Sequence, residues 1–362
     1  MAAGTLLGLL ALAIAIAAAS SWRCRLQGAI HPPAAQPQKR RALTSSISGY
    51  TRPEDETFLS YPEWYIVWSY EEKADFQRDH LPSSFPYFGA VAQYWNSYCC
   101  ISRLTRGKYG FNPGEQVMLV VIGSSFSAEY ILKGAYENTI GRFSEWSSHH
   151  QPVEEDRYAA SVARDYADFV QVRPFYEFHF ANRIAGVWSA TRWWGAHPLR
   201  KWERKLFLTL DYTVEALYCW VIEKLTHLTY GHEPAETYAW VESADERFLR
   251  QLSHVRVVRQ ADSGAFILAM PRYQEFTAVA ARLAERNAHF VEIAGNSQII
   301  LSVLAPQTWR YDNRYGKELF AAPLLARPDK QRVVLGCEVR ALDQLLLSLR
   351  SEPVIIEHVY DY

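Results

Sequence analysis

The first twenty-two residues, Met1 to Trp22, contain no charged side chain. As a helix rising about 1.5 Å per residue they reach roughly 33 Å, close to the hydrocarbon thickness of a bilayer, and this predicts a membrane helix. The most apolar part, Leu6 to Ala19, is short, and Ala17-Ala18-Ala19-Ser20 offers a small-residue cleavage site, so a cleaved signal peptide is the alternative. No basic residue precedes Leu6, whereas Arg23, Arg25, Lys39, Arg40 and Arg41 follow, which favours an uncleaved anchor. By the positive-inside rule the main body then lies on the cytoplasmic side of a bacterial-type inner membrane; cleavage would instead release it into the periplasm. Residues 23–49, rich in Pro, Ala, Gln and Ser, read as a flexible tether, because they cannot bury enough apolar surface to offset their ordering entropy.

Eleven of the twelve tryptophans lie from Trp22 to Trp240, which marks residues 50–246 as an aromatic-rich, mainly helical, membrane-associated region. Ser60-Tyr61-Pro62-Glu63 combines a capping serine, a first-turn proline and a glutamate, so a helix is expected from Ser60 to about Phe76. A second helix is expected from Tyr87 to Leu104. Val117 to Leu132 is apolar enough to raise the question of a second membrane span, against which stands the cost of Glu129 within it. Glu129, Lys133 and Glu137 lie at four-residue spacing, which on a helix forms one stripe: an ion ladder, or a buried ligand contact.

Glu154, Glu155 and Asp156 form an acidic first turn for a helix through Phe169 that ends at Arg173-Pro174. Phe175 to Phe180 alternates and reads as a short strand. Trp193-Trp194 and the basic run Arg200, Lys201, Arg204 and Lys205 lead into Leu206, Leu210, Val214, Leu217, Val221 and Leu225. That amphipathic helix suits a membrane interface, its tryptophans at headgroup level and its cations on anionic lipid, although the same stripe would serve a core helix. Asp211 and Glu215 face away from the stripe.

From about residue 253 the pattern turns to strands. Strand-helix-strand is expected twice, with helices through Phe276–Leu283 and Leu342–Leu349, and Gly295-Asn296-Ser297 is expected to turn a hairpin. Two such units predict a ferredoxin-like α/β sandwich over 253–362, so the fold class is α+β with an N-terminal membrane helix.

Charge gives no argument for a nucleic-acid partner, since Lys+Arg 38 balances Asp+Glu 39, and none is expected. The five cysteines match neither a disulfide framework nor a zinc motif and are expected to be reduced. Phosphate loops, GxSxG, HExxH, EF-hand and dinucleotide fingerprints are absent from the sequence, no catalytic set stands out, and no cofactor or metal is expected. The favoured function is a non-catalytic partner-binding or assembly factor that meets membrane lipid and another membrane or cytoplasmic protein. Two alternatives stand: an enzyme for an apolar or aromatic small molecule in a tryptophan-lined pocket, and a transport-associated membrane protein. Glu129, Lys133, Arg173, Trp193, Trp194, Asp211 and Glu215 are the expected ligand or partner contacts.

Overall fold

The computed structural model describes residues 47, 49–53, 55–106, 108–229, 236–261 and 264–361, and among these seven α-helices precede the first strand. The expected anchor (1–22) and nearly all of the expected tether (23–49) lie outside the described residues. The helices are α1 (Glu56–Asp79), α2 (Tyr87–Thr105), α3 (Pro113–Tyr136), α4 (Arg142–Ser147), α5 (Glu154–Val170), α6 (Phe180–Ser189) and α7 (Pro198–Thr229). Helix α1 begins four residues before the expected serine cap. Pro62 therefore sits inside its second turn, and Ser60 donates to the Thr57 carbonyl at 3.0 Å instead of capping.

Helix α3 is longer than expected and runs through a π-helical turn, Glu137–Gly141, into α4. The stretch Pro113–Ser147, which contains an 18-residue segment of mean hydropathy 1.3, is among the described residues the one helix long and apolar enough to cross a membrane, by length and composition only. The strand expected over Phe175–Phe180 is absent; a tight turn, Phe175–Glu177, leads directly into α6. Phe178 and Phe180 both pack against Tyr166, at 5.0 and 5.1 Å between ring centroids, so these aromatic residues share one small core.

The remaining chain gives β1 (Glu236–Glu242), a single helical turn α8 (Glu246–Leu249), β2 (Arg256–Ala261), β3 (Ala265–Pro271), α9 (Gln274–Glu285) and β4 (His289–Ile293). There follow β5 (Gln298–Pro306), β6 (Lys317–Pro323), β7 (Lys330–Glu338), α10 (Leu342–Leu349) and β8 (Ile355–Val359). The strands form two antiparallel four-stranded sheets, ordered β2-β3-β1-β4 and β6-β7-β5-β8. The two orders are the same once the halves are aligned: the first strand of each half lies between its third and fourth. The region is an internal structural duplication of one β-β-β-α-β unit.

This corrects the ferredoxin-like expectation of a single sheet. In each half the strands flanking the helix are parallel to each other with a gap between them, and the half's own first strand fills it. In one half that strand is β1, which begins at Glu236, ahead of the boundary expected near residue 253. The hairpin expected at Gly295-Asn296-Ser297 is likewise replaced by a connection between sheets, since β4 pairs with β1 and β5 pairs with β7 and β8. Leu268, Phe276, Leu283, Leu301, Leu335 and Leu345, all fully buried, belong to one continuous core that both halves share.

The chain separates into two compact units. One comprises the residues up to Trp64, Gln93–Gly123 and the chain from Pro234; the other comprises Tyr65–Ala92 and Ser124–Glu233. In the first, the start of α1 joins the β region: the Thr57 hydroxyl donates to the Tyr360 carbonyl at 3.0 Å, and Trp64 lies on His358 with ring centroids 3.7 Å apart. Cys99, Cys219 and Cys337 are not in disulfides, whereas Cys100 is disulfide-bonded, which corrects the expectation of five reduced cysteines.

Glu56 gives the first unit a pH dependence. Burial pushes its carboxyl up to about 7, against Arg52 at 3.8 Å, while Glu115 and Asp55 add to the rise. Between the usual value of 4.5 and about 7 the folded chain holds a proton that the unfolded chain has lost. The contribution is therefore complete below the unfolded value and disappears as pH rises through the folded one. Glu56→Gln should match the parent near pH 4 and exceed it by about 2 to 3 kcal/mol above pH 8, a result checked by denaturation across that range.

Candidate functional site

The second unit turns its charges inward. The basic run expected to meet anionic lipid is buried: Arg200 is 0% exposed, and Lys201, Arg204 and Lys205 are buried with it. Each finds a carboxylate of the protein itself. Arg200 reaches Asp156 at 2.7 Å, Glu203 at 3.2 Å and Glu145 at 3.4 Å, and donates to the Ser144 hydroxyl at 2.8 Å. Lys201 pairs with Glu155 at 2.8 Å and Glu154 at 3.0 Å, Lys205 shares Glu155 at 3.0 Å, and Arg204 pairs with Glu137 at 2.8 Å. The acidic first turn of α5 thus does more than complement its own helix dipole, because it neutralises the first two turns of α7. At the rim, the Arg192 backbone N–H and the Lys201 ammonium hold the Glu154 carboxyl below its usual range.

Two helical turns beyond Arg204 on α7, the same inward face carries Asp211 and Glu215. Lys133 from α3 bridges them, 3.1 Å from Asp211 and 3.0 Å from Glu215, and closes on Glu129 at 2.8 Å. Four of the expected contacts, Glu129, Lys133, Asp211 and Glu215, therefore meet at one place. Tyr70 from α1 donates to the second oxygen of Glu129 at 2.6 Å. Together with Lys73, Tyr166 and Arg204 they line a cavity of about 60 Å³. That is room for a few water molecules, far below the roughly 300 to 1,000 Å³ of a small-molecule pocket.

The other expected contacts lie elsewhere. Arg173 is exposed in the turn after α5. Trp193 and Trp194 are exposed and pack on Trp202, at 6.0 and 5.8 Å between centroids, in an indole cluster outside the cavity. Tyr70, Lys73, Tyr166 and Arg204 are not among the ligand or partner contacts expected from sequence. Arg204 was the most accessible of these, since it stands seven residues before Asp211 on the same helical face. Among the described residues no group of three or more His, Cys, Asp or Glu side chains is placed to hold a metal ion. A wider groove of about 540 Å³ runs past His80, His150, Arg157 and Arg164, but Arg164 is already paired with Asp75 at 2.9 Å and Asp168 at 2.9 Å.

The apolar residues face the other way. Leu206, Leu210, Val214, Leu217 and Trp220 of α7 are exposed, Leu210 to 64%, and so are Val117, Val121 and Leu132 of α3, the last to 70%. Burial on α7 is thus inverted over most of its length: the ions lie inside beside Leu208, Tyr212 and Cys219, while Leu206, Leu210, Val214 and Leu217 lie outside. No family model, curated protein or solved structure matches the chain, so the site must be read from its own chemistry.

Proposed function

We propose that the chain is an integral membrane protein of non-catalytic kind, a bacterial inner-membrane partner-binding or assembly factor, in which α3 and the Leu206–Ile222 part of α7 face lipid. The inverted burial of α7 carries this reading. A continuous exposed stripe of leucine, valine and tryptophan is costly in water and ordinary in hydrocarbon, whereas charges in hydrocarbon must be paired within the protein. Leu206–Ile222 has seventeen residues, about 25 Å as a helix, and its two charged side chains are Asp211 and Glu215. From Val117 to Tyr136 the two charged side chains are Glu129 and Lys133. All four meet one another, so neither segment presents a charge to lipid. The small polar cavity supports the non-catalytic reading over an enzyme for an aromatic substrate. A second reading, a transport-associated protein, is favoured by the ion cluster held inside these segments.

Spin labels on cysteines substituted singly at Leu132, Leu210 and Leu217 of the full chain in lipid vesicles test the membrane reading. Collisions with oxygen should exceed those with a water-soluble nickel chelate at all three positions. The opposite order would place these faces in water and end the proposal.

A further inference from the structure

Charge balance in the α1–α3–α5–α7 cavity is incomplete. Its lining holds three cationic side chains, Lys73, Lys133 and Arg204, and four carboxylic ones, Glu129, Glu137, Asp211 and Glu215. Full ionisation leaves one negative charge in excess in a space where Glu129, Lys133, Asp211 and Glu215 are mostly withdrawn from solvent. Arg204 does not offset that excess, because beyond Glu137 it also faces Asp156 at 3.5 Å and Glu203 at 3.6 Å. Lys73 makes no ion pair among the described residues; its ammonium lies 5.7 Å from the centre of the Tyr130 ring. The other titratable groups turned to the cavity, Tyr70, Tyr87, Tyr166 and Tyr212, are phenols that add no positive charge.

The carboxylates are not equally provided for. Glu129 accepts from both Lys133 and Tyr70, one donor for each oxygen. Asp211 and Glu215 share Lys133 alone, and as like charges four residues apart on one helix they repel each other. We propose that this cluster is a proton-binding site, in which one exchangeable proton from the cavity water sits on the Asp211–Glu215 pair and leaves the pair with a single negative charge for Lys133. Binding forms one carboxyl O–H bond, and release returns the proton to water. A proton fits where a metal ion does not, because Lys133 occupies the point at which the three carboxylates converge.

The site draws on the exclusion of water that the membrane reading completes, and the two fail separately: the spin labels report on the outer face of α7, the proton on the inner one. Infrared spectroscopy of the full chain in vesicles, read in the Glu56→Gln background so that Glu56 adds nothing, follows the stretching band of protonated carboxyls. At neutral pH a deuterium-sensitive band should be present and should lose one carboxyl equivalent in both Asp211→Asn and Glu215→Gln. Lys73→Met, which deepens the excess of negative charge, should add about one equivalent. A band unchanged by Asp211→Asn and Glu215→Gln would overturn the site. If those variants do not fold, the complete absence of a deuterium-sensitive carboxyl band from the Glu56→Gln chain would overturn it equally.

Discussion

Replacing Arg200 by alanine is expected to cost about 3 to 5 kcal/mol of stability, the range for removing one partner from a buried ion pair. The side chain is 0% exposed and grips Asp156 with two nitrogens, Nη2 to Oδ1 at 2.7 Å and Nε to Oδ2 at 3.3 Å. Its loss strands Asp156 and weakens the settings of Glu145 and Glu203, all three buried or nearly so. Neutral groups of similar size are far less costly than an unpaired charge, so Arg200→Met combined with Asp156→Asn should recover part of the loss, and the double-mutant cycle should show a coupling well above 1 kcal/mol. Arg200→Lys should fall between, because an ammonium cannot reproduce the two-nitrogen grip. Denaturation of the detergent-solubilised chain measures all four. A loss of less than about 0.5 kcal/mol for Arg200→Ala, the size expected of an ordinary surface change, would mean that the network is solvated.

The residues of this network were visible in sequence, but their partnership was not. Arg200 and Asp156 are 44 residues apart, and Arg204 and Glu137 are 67 apart. Helical spacing relates positions three and four apart and says nothing across such distances. Periodicity also fixed the apolar stripe of α7 without saying which way it faces, because a helix with leucines on one side and ions on the other has the same pattern in water and in lipid. The same pattern therefore fits cations on lipid as well as the buried cations that the structure has. Where local signals were strong the elements were legible, as in α2, α5 and α9, each found within a few residues of its expected ends.

The β region shows a different failure. Strand β6 ends at Pro323 and lies between Pro306 and Pro328, and prolines at this density carry the pattern of a loop rather than of a strand. Strand β1, with its buried Thr237, Ala239, Trp240 and Val241, lies where helix was expected to give way to a boundary. Without β1, a central strand of its sheet, and β6, the strand-helix-strand pattern assembles most simply into one ferredoxin-like sheet. Adding β1 and β6 restores the duplication.

Val214→Arg separates the two meanings of an exposed apolar face. Val214 is the midpoint of Leu206–Ile222 and is 58% exposed, so a longer charged side chain meets no steric barrier and removes little packing. In water the substitution should be close to neutral for stability and should improve solubility. At the middle of a lipid-facing helix an arginine costs roughly 2.5 to 3.5 kcal/mol of insertion free energy, a shift of about 70- to 400-fold in the equilibrium. The effect can be read on the same helix, with a cysteine in place of Leu210 and a membrane-impermeant thiol reagent. In vesicles the Leu210→Cys chain should be shielded, and addition of Val214→Arg should restore labelling, while in detergent the two chains should melt together. Labelling that is equally fast in both vesicle samples would assign the stripe to water. The inward charges would then require another cause, since Asp211, Glu215 and Lys133 would be buried at a desolvation cost that no apolar surroundings imposed.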